Sequence, residues 1–225
     1  MGFKVHIDVA DGYATIPAAD ADVDIVPYVH EVDGKPWSAT VDNSLLAPQS
    51  VFLEEELFGA RHEAALGFIR ENSIDRSFGA TDAWLGIVVA GKPLGDVRDA
   101  LRLLGVEDQL DDLGVRVYVP GAISPLEPQG LRAFVAGVDT VFVVEGKRPF
   151  IEIQVRDLLY DEANPPSVYG KRDQNREPLI PISGALSGEK LVESLRRILE
   201  QQTDPNRLAR RYAAGELPVP ELPSR

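Results

Sequence analysis

Four charged residues stand where a folded chain could use them. Lys92 follows the apolar run Trp84–Ala90 and precedes Pro93, and Glu145, Lys147 and Arg148 follow a second run that ends in Val143-Val144. A lysine between a buried strand and a helix start is well placed for an anion, because open α/β sheets take ligands at their carboxyl edges and helix N-termini attract negative charge. An acid followed by two bases at the same edge reads either as a self-neutralising surface cluster or as a contact with a partner domain or an anionic ligand.

Other chemistries fail on spacing. Gly86-Ile-Val-Val-Ala-Gly91-Lys92-Pro93 imitates a P-loop, but Pro93 replaces the hydroxyl residue that would hold magnesium, and four β-formers between the glycines make a strand. Asp20, Asp22, Asp24 and Glu31 copy part of a calcium loop, yet Ile25 occupies the position that needs glycine. His6, His30 and His62 share no zinc spacing, and neither a nucleophile elbow nor a dinucleotide glycine fingerprint occurs. Cysteine is absent, so thiolate ligation of an iron–sulfur cluster is excluded for this chain. No catalytic, cofactor-binding or metal-binding residue is assigned. Lys92, Glu145, Lys147 and Arg148 are kept as interface or anion candidates.

The net charge of −13 opposes a phosphate backbone and excludes nucleic acid as an expected partner. No apolar run approaches the about 18 residues a membrane span needs. The lack of disulfides and of a secretion-like start agrees with a cytoplasmic protein.

These residues need elements to position them. Residues 1–80 read as a Pro- and Asp-rich extended segment, with β-like pieces at Val5–Val9 and Ile25–Val32 and a turn at 32–35. A helix from about Val51 to Glu71 follows, with Leu57, Ala60, Ala64 and Phe68 on its apolar face. This zone is expected to pack on the main domain or on absent partner domains. Residues 81–202 alternate strand and helix. The strands are Trp84–Ala90, Val115–Val119 and Thr140–Val144, with a short extended piece at Ser167–Tyr169. Helices open at Pro93, at Pro125-Leu-Glu-Pro128, at Pro149 and near Ser187. The helix after Pro149 should turn Phe150, Ile151, Val155, Leu158 and Leu159 inward. The last one should bury Leu191, Val192, Leu195, Ile198 and Leu199. Such alternation predicts a parallel sheet covered on both faces. Residues 203–225 read as a tail or linker.

Leu85-Gly-Ile-Val-Val-Ala-Gly-Lys92 with Asp96-Val-Arg-Asp-Ala-Leu101, then Pro125-Leu-Glu-Pro128, then Val144-Glu-Gly-Lys-Arg-Pro-Phe-Ile-Glu-Ile-Gln154, then Leu159-Tyr160 and Gly170-Lys-Arg-Asp173, resemble in order the blocks of indolepyruvate ferredoxin oxidoreductases in their middle, transketolase C-terminal-like domain. Gly146 stands where the family has a second acid. The resemblance implies a three-layer α/β/α fold with a mixed, mainly parallel five-stranded sheet. It also implies an oligomeric enzyme that uses thiamine diphosphate, magnesium and iron–sulfur clusters to decarboxylate arylpyruvates, with ferredoxin and coenzyme A as partners. The thiamine motif and cluster ligands are missing from this sequence, and Gly95-Asp96-Val97 fails the Gly-Asp-Gly pattern. The expected role is therefore that of a scaffold and subunit contact, inactive alone and excised from a longer chain. The alternatives are a free-standing module for a nucleotide or coenzyme A, and a structural interaction domain.

Overall fold

The computed structural model describes residues 24–43, 46–203 and 208. The expected strand at Val5–Val9 lies outside them. The chain divides into two compact units, Met1–Asn72 and Ser73–Arg225.

In the first unit, β1 (Glu31–Val32) and β2 (Lys35–Pro36) form an antiparallel hairpin. Asp33 (φ 53°) and Gly34 (φ 72°) both take the left-handed conformation that matches the twist of a two-residue hairpin. Two helices follow, α1 (Gln49–Phe58) and α2 (Ala60–Glu71). The single helix expected from Val51 to Glu71 is thus broken. Gly59 turns the chain so tightly that a Cβ there would lie 2.9 Å from the Glu55 carbonyl oxygen. The break resets the helical phase. Leu66, Gly67 and Ile69 become the buried residues of α2, while Leu57 and Phe68 of the expected face are exposed. The Tyr28 ring lies where a Cβ of Gly67 would be. The Asn72 amide exchanges two hydrogen bonds with the Val26 backbone and holds the extended segment to the end of α2.

The second unit contains β3 (Arg76–Gly79), β4 (Leu85–Val89), α3 (Pro93–Leu103), α4 (Leu110–Leu113), β5 (Val115–Val119), α5 (Pro128–Val135), β6 (Thr140–Val144), α6 (Ile151–Leu158), β7 (Ser167–Tyr169) and α7 (Gly188–Leu199). One five-stranded sheet runs β3-β5-β4-β6-β7. Only β3 is antiparallel to its neighbour, which gives the mixed, mainly parallel sheet that the resemblance implied. β3 was not foreseen: Arg-Ser-Phe-Gly is short and fully exposed, and only pairing with β5 makes it a strand.

The period of two along each strand separates two cores. Leu85, Ile87 and Val89 of β4, with Val115, Val117, Phe142 and Val144, face α3 and α7. Val88, Tyr118, Val141 and Val143 face Leu131 and Phe134 of α5 and Ile151 and Val155 of α6. Gly86 also faces that side, and the Phe134 ring fills the space of its missing Cβ. The result is the α/β/α sandwich. The five apolar residues expected on the last helix are all buried in α7. Leu208, in the expected tail, joins the first core. One expected inward residue is reversed: Phe150 is 49% exposed, because it precedes α6 as its cap.

Candidate functional site

Register decides what meets at the carboxyl edge. β4 and β6 are parallel neighbours with Val89 opposite Val144, so both strands release the chain at one edge. Lys92 comes three residues after the first, and Glu145 directly after the second. β7 lies beside β6 and delivers Gly170 and Lys171 to the same edge.

Lys92 begins α3, with Pro93 in the first turn. Its ammonium donates to Asp96 Oδ1 and Oδ2 (2.8 and 2.9 Å) and to the Leu186 carbonyl (2.6 Å). Those bonds use the three hydrogens an ammonium has. Asp96 is buried, and Lys92 compensates it while tying the segment before α7 to the start of α3.

Glu145 is buried and points into the protein. Its carboxylate accepts from the backbone N–H groups of Phe150, Ile151 and Glu152, each at 3.0 Å. These are the donors that the first turn of a helix leaves unpaired, and they carry the positive end of the helix dipole. Lys171 donates to the Glu145 carbonyl oxygen, and its own N–H donates to Glu152 Oε2 at 2.9 Å. Glu152 Oε1 accepts from Arg156. Burial pushes the Lys171 ammonium pKa down, while the charges of Glu145 and Glu152 push it back up. Gly170 is required here: a Cβ would sit 2.2 Å from Glu152 Oε2. Beyond it, Asp173 accepts from the Asn175 and Glu177 amides and pairs with Arg197 of α7. Burial pushes the Asp173 pKa up, but the backbone bonds from Glu177 and Asn175 and the charge and hydrogen bond of Arg197 together outweigh it and hold the pKa below the ordinary value.

Lys147 and Arg148 differ from the other two candidates. Both are exposed, and neither makes a hydrogen bond or ion pair with a described residue. Lys147 sits at φ 62°, a left-handed backbone that costs a side-chain-bearing residue about 1–2 kcal/mol. A Cβ on Gly146 would meet nothing within 4 Å, so the missing acid leaves an open position.

A second polar group joins the entry to β3 with the end of β5. Tyr118 donates its hydroxyl to Asp75 Oδ2 (2.5 Å), and Asp75 Oδ1 accepts from the Gly121 amide (2.9 Å). Glu127 caps α5 through the Gly130 amide. Burial, the Asp75 bond and the charges of Asp75 and Glu127 raise the phenol pKa far above its usual range.

Sequence reasoning found Lys92 and Glu145 but missed their partners Asp96, Glu152 and Lys171, although all three lie in the quoted blocks. A buried strand followed by an acid six residues before a helix is a capping signal that could have identified Glu145. Among the described residues, no group of three or more His, Asp or Glu is placed to hold a metal, and no helix is long and apolar enough to cross a membrane.

Residues 75–215 match the family model described as "Indolepyruvate oxidoreductase domain". The indolepyruvate oxidoreductase subunit IorA of Thermococcus kodakarensis is 29% identical over 128 residues, which cover 57% of this chain and 18% of that protein. The chain therefore spans less than a fifth of that curated relative. Among solved structures, a 2-oxoglutarate:ferredoxin oxidoreductase from Magnetococcus marinus, with 2-oxoglutarate, coenzyme A and succinyl-CoA bound, matches at 19% identity and a TM-score of 0.45, over 87% of this chain and 30% of that one. A split-gene transketolase, described as an inactive beta4 tetramer, matches at 15% identity and a TM-score of 0.39, over 57% of this chain and 42% of that one. The family match spans more than half of the sequence and takes in both the carboxyl-edge network and the Tyr118–Asp75 group: the chain belongs to the indolepyruvate oxidoreductase domain family.

Proposed function

We propose that this chain is the non-catalytic scaffold and subunit-contact domain of a thiamine-diphosphate-dependent indolepyruvate-type 2-oxoacid:ferredoxin oxidoreductase. The complete cytoplasmic, oligomeric enzyme would convert arylpyruvates to acyl-CoA and pass electrons through iron–sulfur clusters to ferredoxin. One observation carries the scaffold reading. Five of the charged groups gathered at the carboxyl edge, Lys92, Asp96, Glu145, Glu152 and Lys171, are spent on the domain's own fold, and of the edge candidates only Lys147 and Arg148 lack such a partner among the described residues. Glu145 caps α6, Glu152 and Lys171 join α6 to the end of β7, and Lys92 compensates Asp96. A buried polar network satisfied in this way rigidifies a domain instead of leaving reactive groups for a substrate.

The described residues at the carboxyl edge do not fit thiamine diphosphate and magnesium. Both oxygens of Asp96, the acid in the Gly-Asp-Val segment, are taken by Lys92, and the Lys92 and Lys171 ammonium groups are held by internal acceptors. The cofactor chemistry would belong to other parts of the enzyme, which this domain would help to hold in place.

The test is reconstitution. The chain alone, given an arylpyruvate, coenzyme A, thiamine diphosphate, magnesium and ferredoxin, should show no turnover. Turnover should appear when the polypeptides carrying the thiamine and cluster sites are added, and should fall when this chain is left out. Turnover by the isolated chain, or full activity without it, would overturn the reading. Lys92→Ala separates it from a module for a nucleotide or coenzyme A. The variant should lose about 1–3 kcal/mol of stability by stranding buried Asp96. Calorimetric titration of the wild-type chain with coenzyme A should show no micromolar binding for the substitution to abolish.

A further inference from the structure

The helix that Glu145 caps presents an apolar surface outward. Phe150, the cap residue of α6, is 49% exposed and Ile153, three residues on in the first turn, is 59% exposed, so the start of the helix presents two large apolar side chains to solvent. Gln154 donates to the Ile123 carbonyl at 2.9 Å, which brings the 41%-exposed Ile123 alongside. The backbone that carries this ring is held in place, since the Phe150 N–H donates to both Glu145 oxygens.

Lys147 and Arg148 lie directly before this surface, and Arg156 is on the same helix. Acids close by in sequence do not offset the first two. Glu145 is turned onto backbone amides, and Glu152 is taken by Arg156 and the Lys171 amide. A chain of net charge −13 thus carries, beside an exposed aromatic residue, a basic pair that makes no ion pair with a described residue. Aromatic residues and arginine are enriched at protein interfaces relative to the rest of the surface.

We infer that the exposed start of α6, with the cap residue Phe150 and Ile153 as apolar anchors and Lys147 and Arg148 as its charged rim, docks an acidic protein surface with an apolar depression, supplied by another part of the same oxidoreductase. This rests on the scaffold reading and names the surface that performs it. Charge complementarity selects the occupant. The overall acidity of the chain works against anionic membranes and nucleic acid at long range, while a basic rim steers an acidic protein partner.

The experiment measures affinity between this chain and the remaining polypeptides of the oxidoreductase, by analytical ultracentrifugation at low and at physiological salt. Phe150→Ser should weaken the complex at least about tenfold, as expected for an aromatic anchor. Arg148→Glu with Lys147→Gln should weaken it at low salt and flatten its salt dependence. All three positions are exposed, so unchanged urea-unfolding midpoints separate lost docking from lost folding. No complex with the wild-type chain would overturn the scaffold reading and this inference together. A wild-type complex that neither variant weakens would overturn this inference alone. Two other occupants are read in parallel. Wild-type binding to phosphatidylglycerol vesicles, or self-association of the isolated chain, that is lost in Phe150→Ser while the enzyme complex is unaffected would also overturn it.

Discussion

Glu145→Ala would remove a buried carboxylate that serves three backbone amides at the start of α6. A single lost cap typically costs about 1 kcal/mol and at most about 2, and a hydrogen bond to a charged acceptor contributes about 1.5–3 kcal/mol. Here one group holds three amides in a site closed to bulk water. Alanine strands these amides without an acceptor, and because such contributions are not additive the expected loss is about 3 kcal/mol, a large share of the about 5–15 kcal/mol that holds a domain together. Glu145→Gln keeps one acceptor oxygen but turns an NH₂ toward donors of the same kind, and should cost about 1–2 kcal/mol. Urea unfolding reports both. With Trp37 replaced by Phe, the fluorescence of Trp84 follows the second unit alone. The alanine variant should lower the midpoint by roughly 1–2 M without a change of slope. Native-state hydrogen exchange should quicken at Phe150, Ile151 and Glu152 before it quickens in β4 or β6. An alanine variant within about 0.5 kcal/mol of wild type, the range of an ordinary surface substitution, would show that the carboxylate does not hold the helix start.

Gly170→Ala should cost about 2 kcal/mol, because its Cβ would overlap the Glu152 carboxylate and displace it from the Lys171 amide and Arg156. In a Glu152→Ala background the same substitution should cost little. Equal costs in the two backgrounds, measured as a double-mutant cycle, would refute the clash. Tyr118→Phe should cost about 1–2 kcal/mol near neutral pH through the lost bond to Asp75. The folded-state pKa of this phenol is raised above its unfolded value of about 10. Wild-type stabilisation by the protonated hydroxyl is therefore complete below pH about 10 and is lost as pH rises beyond it. The gap between wild type and Tyr118→Phe should narrow from pH about 10 upward, and a constant gap from pH 8 to 11 would contradict the assignment.

Much of the sheet was legible because its signals are local. Ile87, Val88 and Val89 lie in an apolar run that suits only a strand covered on both sides, and Leu191, Leu195 and Ile198 repeat at the period of a helix with one buried face. Composition and motif spacing likewise excluded thiolate clusters, a P-loop and a calcium loop without reference to the fold.

The tertiary structure decided what depends on partners distant in sequence. Arg76–Gly79 is a strand only because β5 offers an edge some forty residues later. Gly59 breaks a helix whose apolar spacing runs on across it, so the face that spacing announced is not the buried one. Phe150 reads as a core residue on a helical wheel, yet it becomes the outward cap of α6 once Glu145 takes its amide. The edge network shows the same division. Periodicity put Lys92 and Glu145 at strand ends, but the parallel register of β6 and β7 brought Glu145 to Lys171 from 26 residues away, and the packing of α7 beside α3 brought Lys92 to Leu186 from 94. Hydrophobic patterning is written residue by residue, because burial requires only an apolar side chain at the right phase. Polar pairing requires two particular groups within about 3 Å, and only the folded chain fixes that distance.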